Sequence, residues 1–208
     1  MMKISCKGIS FLREVHRAVS ESYLLKVLQS EIRHELSSPR SQDVKHHGSM
    51  GEFSMEWDRP DFQDVVLRRR CASGEEVVVS ALLGSYHANA DFSISRHVDM
   101  KVCIKKQFSS PILLFDCKVY PEDDRDSSLH IECASYLRSS CPPKSSSYPG
   151  PEFWTLDQKL QIALRDFLES RGINDDLTKF LLFHFNKKEQ AQYVKWLQKL
   201  ESFVSVVP

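Results

Sequence analysis

The chain reads as an α+β protein with its helices gathered at the two ends of the sequence, and three observations support this. Residues 52–137 hold short runs rich in β-branched and aromatic residues, separated by turn signals. No ten-residue helical pattern falls between these runs, which excludes parallel βαβ units and favours an antiparallel meander. Before and after this stretch, apolar residues recur at helical spacing. The expected layout is a single domain over 22–208, with a helix over 22–37, about seven strands within 52–153, and two helices within 155–205.

Leu25, Leu28, Ile32 and Leu36 make the apolar stripe of the first helix, and Pro39 follows as a stop. Ahead of it, residues 1–21 form a separate N-terminal segment. Phe11, Val15, Ala18 and Val19 recur at helical spacing there, and Lys3, Lys7, Arg13 and Arg17 stand against Glu14 and Glu21. Such a basic amphipathic start suits a partial organellar presequence, a plain first helix or an irregular terminus. The stretch from Ser38 to Gly51 is polar and without period, hence a loop. His46 and His47, adjacent in that solvated loop, are not expected to hold a metal.

The clearest hairpin is DVVLRRRC-ASG-EEVVVSAL, two strand-like runs joined by a short connection containing Gly74. Alternation places Val65 and Leu67 on one face and Val66, Arg68 and Arg70 on the other. Residues 138–151 form a Pro/Ser-rich connector. Thr155 with Gln158 has capping-box spacing. Leu156, Leu160, Ala163, Leu164, Phe167 and Leu168 form the stripe of the helix that follows, and Gly172 sits where a helix end favours positive φ. Asn174 or Asp175 opens the last helix. Its stripe passes through Leu177, Phe180, Leu181 and Phe185 to Tyr193, Trp196, Leu197, Leu200, Phe203 and Val204. The polar run Asn186–Glu189 predicts a kink or exposed turn between the two halves.

A hydrophobic share of 41% beside 27% charged residues fits a globular core. Twenty-eight Lys+Arg against 28 Asp+Glu leave no net field to draw the chain to nucleic acid or anionic lipid, so such an interaction needs a local patch. The six cysteines form no CxxC and lie away from any His at zinc-finger spacing, so they read as free thiols, several in apolar runs. No stretch approaches the eighteen or so apolar residues of a membrane span.

No P-loop, GxGxxG, HExxH or GxSxG occurs, and no metal or cofactor is expected. His184, between Phe183 and Phe185, reads as packed core rather than as a base. Glu31 and Glu35 at i, i+4 read as a solvated or ion-paired helix face rather than as paired catalytic acids. Ser146 and Ser147 have no positioned base. Arg68, Arg70, Lys101 and Lys105 can meet on one sheet face, either as a phosphate-binding patch or as partners of acids. The structural reading is preferred, because no exposed aromatic platform interleaves with them.

One resemblance covers roughly 22–205. The helix Leu156 to Ile173, then Phe180-Leu181, a polar break, and Tyr193, Trp196-Leu197, Leu200 and Phe203-Val204 resemble the C-terminal signature of the mitochondrial glycoprotein family. Glu31, Ile32, His34, Glu35 and Leu36 resemble its N-terminal helix, and the segments around 64–83, 90–106 and 148–157 look closest to its plant branch. The resemblance implies a twisted seven-stranded antiparallel sheet flanked by one N-terminal and two C-terminal helices. It further implies a doughnut-shaped homotrimer in the mitochondrial matrix, not an enzyme, that binds other mitochondrial proteins as a scaffold or chaperone-like adaptor supporting gene expression or oxidative phosphorylation. An RNA-associated translation factor using the basic sheet patch is the alternative. Leu28, Ile32, Phe180, Phe183, Trp196, Leu200 and Phe203 are the expected core or oligomer positions. Family members are typically strongly acidic, and this chain is neutral, so their partners do not carry over directly.

Overall fold

The computed structural model describes residues 6–37, 48–88, 94–107, 111–122, 127–138, 148 and 150–205. Helix α1 spans Cys6–Ser37. Six strands follow: β1 Ser54–Asp58, β2 Asp64–Arg70, β3 Glu76–Ala88, β4 Ile94–Lys105, β5 Ile112–Pro121 and β6 Ser127–Leu137. A 3-10 turn at Phe153–Thr155 leads to α2 Gln158–Glu169 and α3 Asp175–Ser205. The chain forms two compact units, Val44–Lys188 and Met1–Asp43 with Glu189–Pro208, so the span read as one domain contributes to both.

In the first unit the strands pair antiparallel in chain order, β1 to β6. The meander is therefore as expected, with six strands among the described residues where about seven were expected. Beyond β6, Glu152 adds only an isolated bridge to Cys133. Between β2 and β3, Cys71 donates its N–H to the Glu75 carbonyl at 2.8 Å, and Gly74 (φ 76°) takes the left-handed turn position. Val65, Leu67, Val77, Val79, Val98, Met100, Val102, Phe115 and Val119 line the sheet's inner face. They bury against Leu168, Ile173, Leu177, Leu181 and Phe185. Each such side chain contributes about 1.5–3 kcal/mol on leaving water, so this layer is the main source of the unit's stability.

The helix ends differ in part from expectation. Thr155 closes the 3-10 turn, its Oγ1 donating to the Glu152 carbonyl, and Asp157 caps α2 by accepting from the Lys159 N–H at 3.0 Å. An Asp one residue ahead of the helix displaces the capping box because its short carboxylate reaches the free amides directly. At the other end Gly172 (φ 83°) does take the left-handed position, with Ile173 N–H returning to the Leu168 carbonyl. Asn174 caps α3, accepting from the Leu177 N–H at 3.1 Å. No turn interrupts α3 at 186–189, where an interruption was expected: the helix is continuous over Asp175–Ser205. Asn186 and Lys187 simply face solvent, while Lys188 is anchored on the sheet.

In the second unit α1 begins at Cys6, inside the segment set apart from the first helix. Leu28, Ile32 and Leu197 are buried together, with Leu200 and Val204 packed on them. Leu36 is exposed, as is Leu160 of α2 in the first unit. No described helix is long and apolar enough to cross a membrane.

Candidate functional site

Three groups of side chains have the chemistry to form a site. The first is the outer face of the sheet. Alternation along β2 and β4 does bring Arg68, Arg70, Lys101 and Lys105 to this face, but acids stand beside them. Arg68 is held by Glu56 and Glu76, each at 2.5 Å, and Arg70 Nε lies 3.3 Å from the same Glu76 carboxylate. Lys101 pairs with Asp116 of the neighbouring strand. Lys105 is exposed and sits directly across from Glu76. The hydrogen bonds to Glu56 and then Glu76 raise the Arg68 guanidinium above its usual range, and the hydrogen bond from Arg68 lowers the Glu76 carboxyl. Hydrogen bonding to Asp116 likewise raises the Lys101 ammonium. Lys118 and Glu132 extend the pattern at 3.5 Å. Arg69 points to the other side and meets Glu52. The result is a lattice of paired charges with little net positive field.

Among the described cysteines, Cys71, Cys103, Cys117 and Cys133 are free. Burial pushes the Cys117 thiol up to about 12. Cys133 is raised by burial and by its contact with Asp116, so these two thiols stay protonated and weakly nucleophilic at neutral pH. No three described His, Cys, Asp or Glu residues stand close enough to hold a metal ion. His46, His47, Ser146 and Ser147 lie outside the described residues.

The second group joins the end of β1 to α3. Asp58 lies 2.9 Å from His184 Nε2 and accepts from Lys188 Nζ, which also donates to the Asp64 carbonyl at 3.1 Å. The Lys188 side chain is only 8% exposed. Burial alone would raise the Asp58 carboxyl, but the Lys188 hydrogen bond and the charges of His184 and Lys188 outweigh it and hold it below its ordinary value. His184 stacks on Phe180 at 5.6 Å and meets Phe185 edge-on. His184 is therefore packed against aromatic rings and also lies against the Asp58 carboxylate. Phe180 and Phe183 are half-buried, with Phe180 against the core. Sequence reasoning did not pick out Asp58 or Lys188. The only local hint is that His184 and Lys188 are four residues apart and share a helix face.

The third group is the seam between α1 and the last part of α3. Tyr193 donates to Glu31 at 3.1 Å, and Gln190 donates to the Glu35 backbone carbonyl at 3.2 Å. Glu31 through its carboxylate and Glu35 through its backbone carbonyl thus fasten one helix to the other. Leu28, Ile32 and Leu200 lie in this seam, and Trp196 and Phe203 lie outside it, 53% and 81% exposed. Each sits one residue, about 100° of helix, before a seam residue, Leu197 or Val204.

An open cleft of about 600 Å³ lies beside the start of β6 and the α2–α3 turn, lined by Ser127, Arg165, Glu169, Asp175 and Lys179 among others. The hydroxyl of Ser127, one of the lining residues, bonds to that of the buried Thr178 at 2.8 Å.

A family model described as mitochondrial glycoprotein, MAM33, matches residues 28–204. A mitochondrial protein of Arabidopsis thaliana, named as uncharacterized, is 28% identical over 209 residues, covering 95% of this chain and 80% of the relative. Mitochondrial acidic protein mam33 of Schizosaccharomyces pombe is 33% identical over 61 residues, 29% of this chain and 23% of that one. Among solved structures, the Trypanosoma brucei p22 protein aligns with a TM-score of 0.65 at 18% identity, covering 90% of this chain and 100% of its own. A Leishmania major protein described as a sequence homologue of human p32 gives 0.68 at 19% identity, covering 89% and 99%. At such identities the structural likeness is one of fold: helices with a single antiparallel sheet.

Proposed function

The chain belongs to the mitochondrial glycoprotein family, and from that premise we propose that it is a non-catalytic binding protein of the mitochondrial matrix. In this reading it is a homotrimeric scaffold or chaperone-like adaptor that engages other mitochondrial proteins and supports mitochondrial gene expression or oxidative phosphorylation. The observation that carries the reading is the exposure of Trp196 and Phe203 on α3, beside a seam whose buried apolar residues are Leu28, Ile32 and Leu197. Among the described residues these three are the buried apolar contacts between the two helices, and contacts with sister copies would cover the exposed aromatic side chains. The absence of catalysis is supported by the engagement of the titratable groups: Asp58, His184 and Lys188 form a clasp, and Glu31 and Glu35 form a fastening.

The RNA-associated reading has less support, because carboxylates stand against Arg68, Arg70 and Lys101. The test is mass in solution by light scattering. Three chain masses are expected for the wild type, falling to one in a Trp196→Ser/Phe203→Ser double variant with unchanged helix content. A wild-type mass of one chain overturns the trimer. Capture of partner proteins from mitochondria by the trimer and not by the dissociated variant would support the scaffold role, and equal capture by both would remove the link to assembly.

A further inference from the structure

We propose that the outward face of α1, the side turned away from the seam, docks on an anionic phospholipid surface. At about 100° per residue, Val19 lies half a turn round the helix from Leu28, and Tyr23 half a turn from Ile32. Val19, Tyr23 and Val27 are all exposed, Tyr23 at 70%. Lys26 and Arg33 are exposed on the same outward side. The helix's described acids are turned elsewhere. Glu35 is buried and Glu31 accepts from Tyr193, while Glu21, seven residues before Leu28, falls on the seam side. Among the described side chains of this helix, apolar groups and cations therefore face outward and the acids do not.

That pairing favours one occupant. Aliphatic and tyrosine side chains between basic residues suit the headgroup boundary of a bilayer, where the apolar groups enter and the cations meet lipid phosphates. Single-stranded nucleic acid needs aromatic platforms, and two of the three apolar residues here are valines. A second copy presenting the same face would set Lys26 and Arg33 against like charges. The face is also separate from Trp196 and Phe203, which belong to α3, so the proposal does not depend on the trimer.

The experiment is co-sedimentation of the full chain with vesicles of phosphatidylcholine alone, or with phosphatidylglycerol at about one part in five. Binding is expected only to the anionic vesicles and is expected to weaken with salt. Lys26→Gln/Arg33→Gln and Tyr23→Ser/Val27→Ser should each reduce it at least about fivefold with melting temperature and solution mass unchanged. Equal binding by wild type and both variants, or no binding to anionic vesicles, overturns the proposal. A changed mass in the Tyr23/Val27 variant would assign the face to a contact between copies. Loss of RNA binding without any vesicle binding would assign it to nucleic acid. Either of these also overturns it.

Discussion

Arg171 and Glu75 meet as a two-pronged ion pair, with Arg171 Nη2 donating to Oε2 at 3.1 Å and Nε lying 2.8 Å from Oε1. The guanidinium also sits 3.4 Å over the Phe167 ring and donates to the Phe167 carbonyl. The pair ties the β2–β3 turn to the turn between α2 and α3. Both side chains are largely buried, so removing one leaves a desolvated charge behind. Glu75→Gln or Arg171→Met is expected to cost about 3 kcal/mol in urea unfolding. The double variant should cost clearly less than the two single losses added together. Additive losses would show that the two groups do not act as a pair.

The outer sheet face makes a different prediction. Arg68→Gln leaves Glu56 and Glu76 beside each other without their shared cation, and cross-strand pairs contribute about 0.2–1 kcal/mol each. A loss of about 1 kcal/mol is expected for Arg68→Gln, against less than about 0.5 kcal/mol for the exposed Lys105→Gln. RNA affinity should be weak and nearly independent of salt. Four free cations contacting phosphates would instead give a slope of about three logarithmic units of affinity per tenfold change in salt. Fluorescence anisotropy across a salt series distinguishes the two.

Local signals in the sequence locate most of the framework. Alternation at Val65 and Leu67 sets the buried face of β2, Gly172 marks the end of α2, and Asn174 marks the start of α3. Each works because the relevant partner lies within a few residues. Asp58 and Lys188 are 130 residues apart, and Glu75 and Arg171 are 96 apart. No periodicity encodes which distant carboxylate a buried cation will meet, so these pairs were not legible. Asn186 to Glu189 misled for a related reason. A polar run within a helix can mark either a break or a solvent face, and Lys188's partner on the sheet decides between them. The shared face of Arg68 and Arg70 was legible, but the acids that offset them depend on strand register.

Trp196 and Leu197 are adjacent, yet their truncation should have unequal consequences. The run Tyr193, Trp196, Leu197, Leu200, Phe203 and Val204 is wider than one helical stripe, and only part of it enters the seam. Leu197→Ala should cost about 2–5 kcal/mol of helix-pair stability because Leu197 is buried against Leu28 and Ile32. Trp196→Ala should change the stability of a single chain by less than about 0.5 kcal/mol. Any larger loss should depend on protein concentration, as expected if the indole is covered by another copy. Thermal unfolding of both variants over a dilution series separates these contributions.

Asp58 should make stability depend on pH in acid. Its carboxyl is held below its ordinary value of 3.8 in the folded chain, so its contribution is fully present above that value and is lost as pH falls through the lower folded value. Asp58→Asn removes the charge facing the buried Lys188 ammonium, and hydrogen bonds to charged groups are worth about 2 kcal/mol. The wild type should therefore exceed Asp58→Asn by about that amount at neutral pH. The difference should shrink steadily below about pH 4, as the wild-type carboxyl protonates and comes to resemble the amide. Lys188→Met should abolish most of this acid dependence, since it removes the hydrogen bond that offsets the burial of Asp58. Urea unfolding of the three proteins across this range is the measurement. A wild-type advantage that stays constant down to the lowest pH would mean that the clasp does not depend on the Asp58 charge.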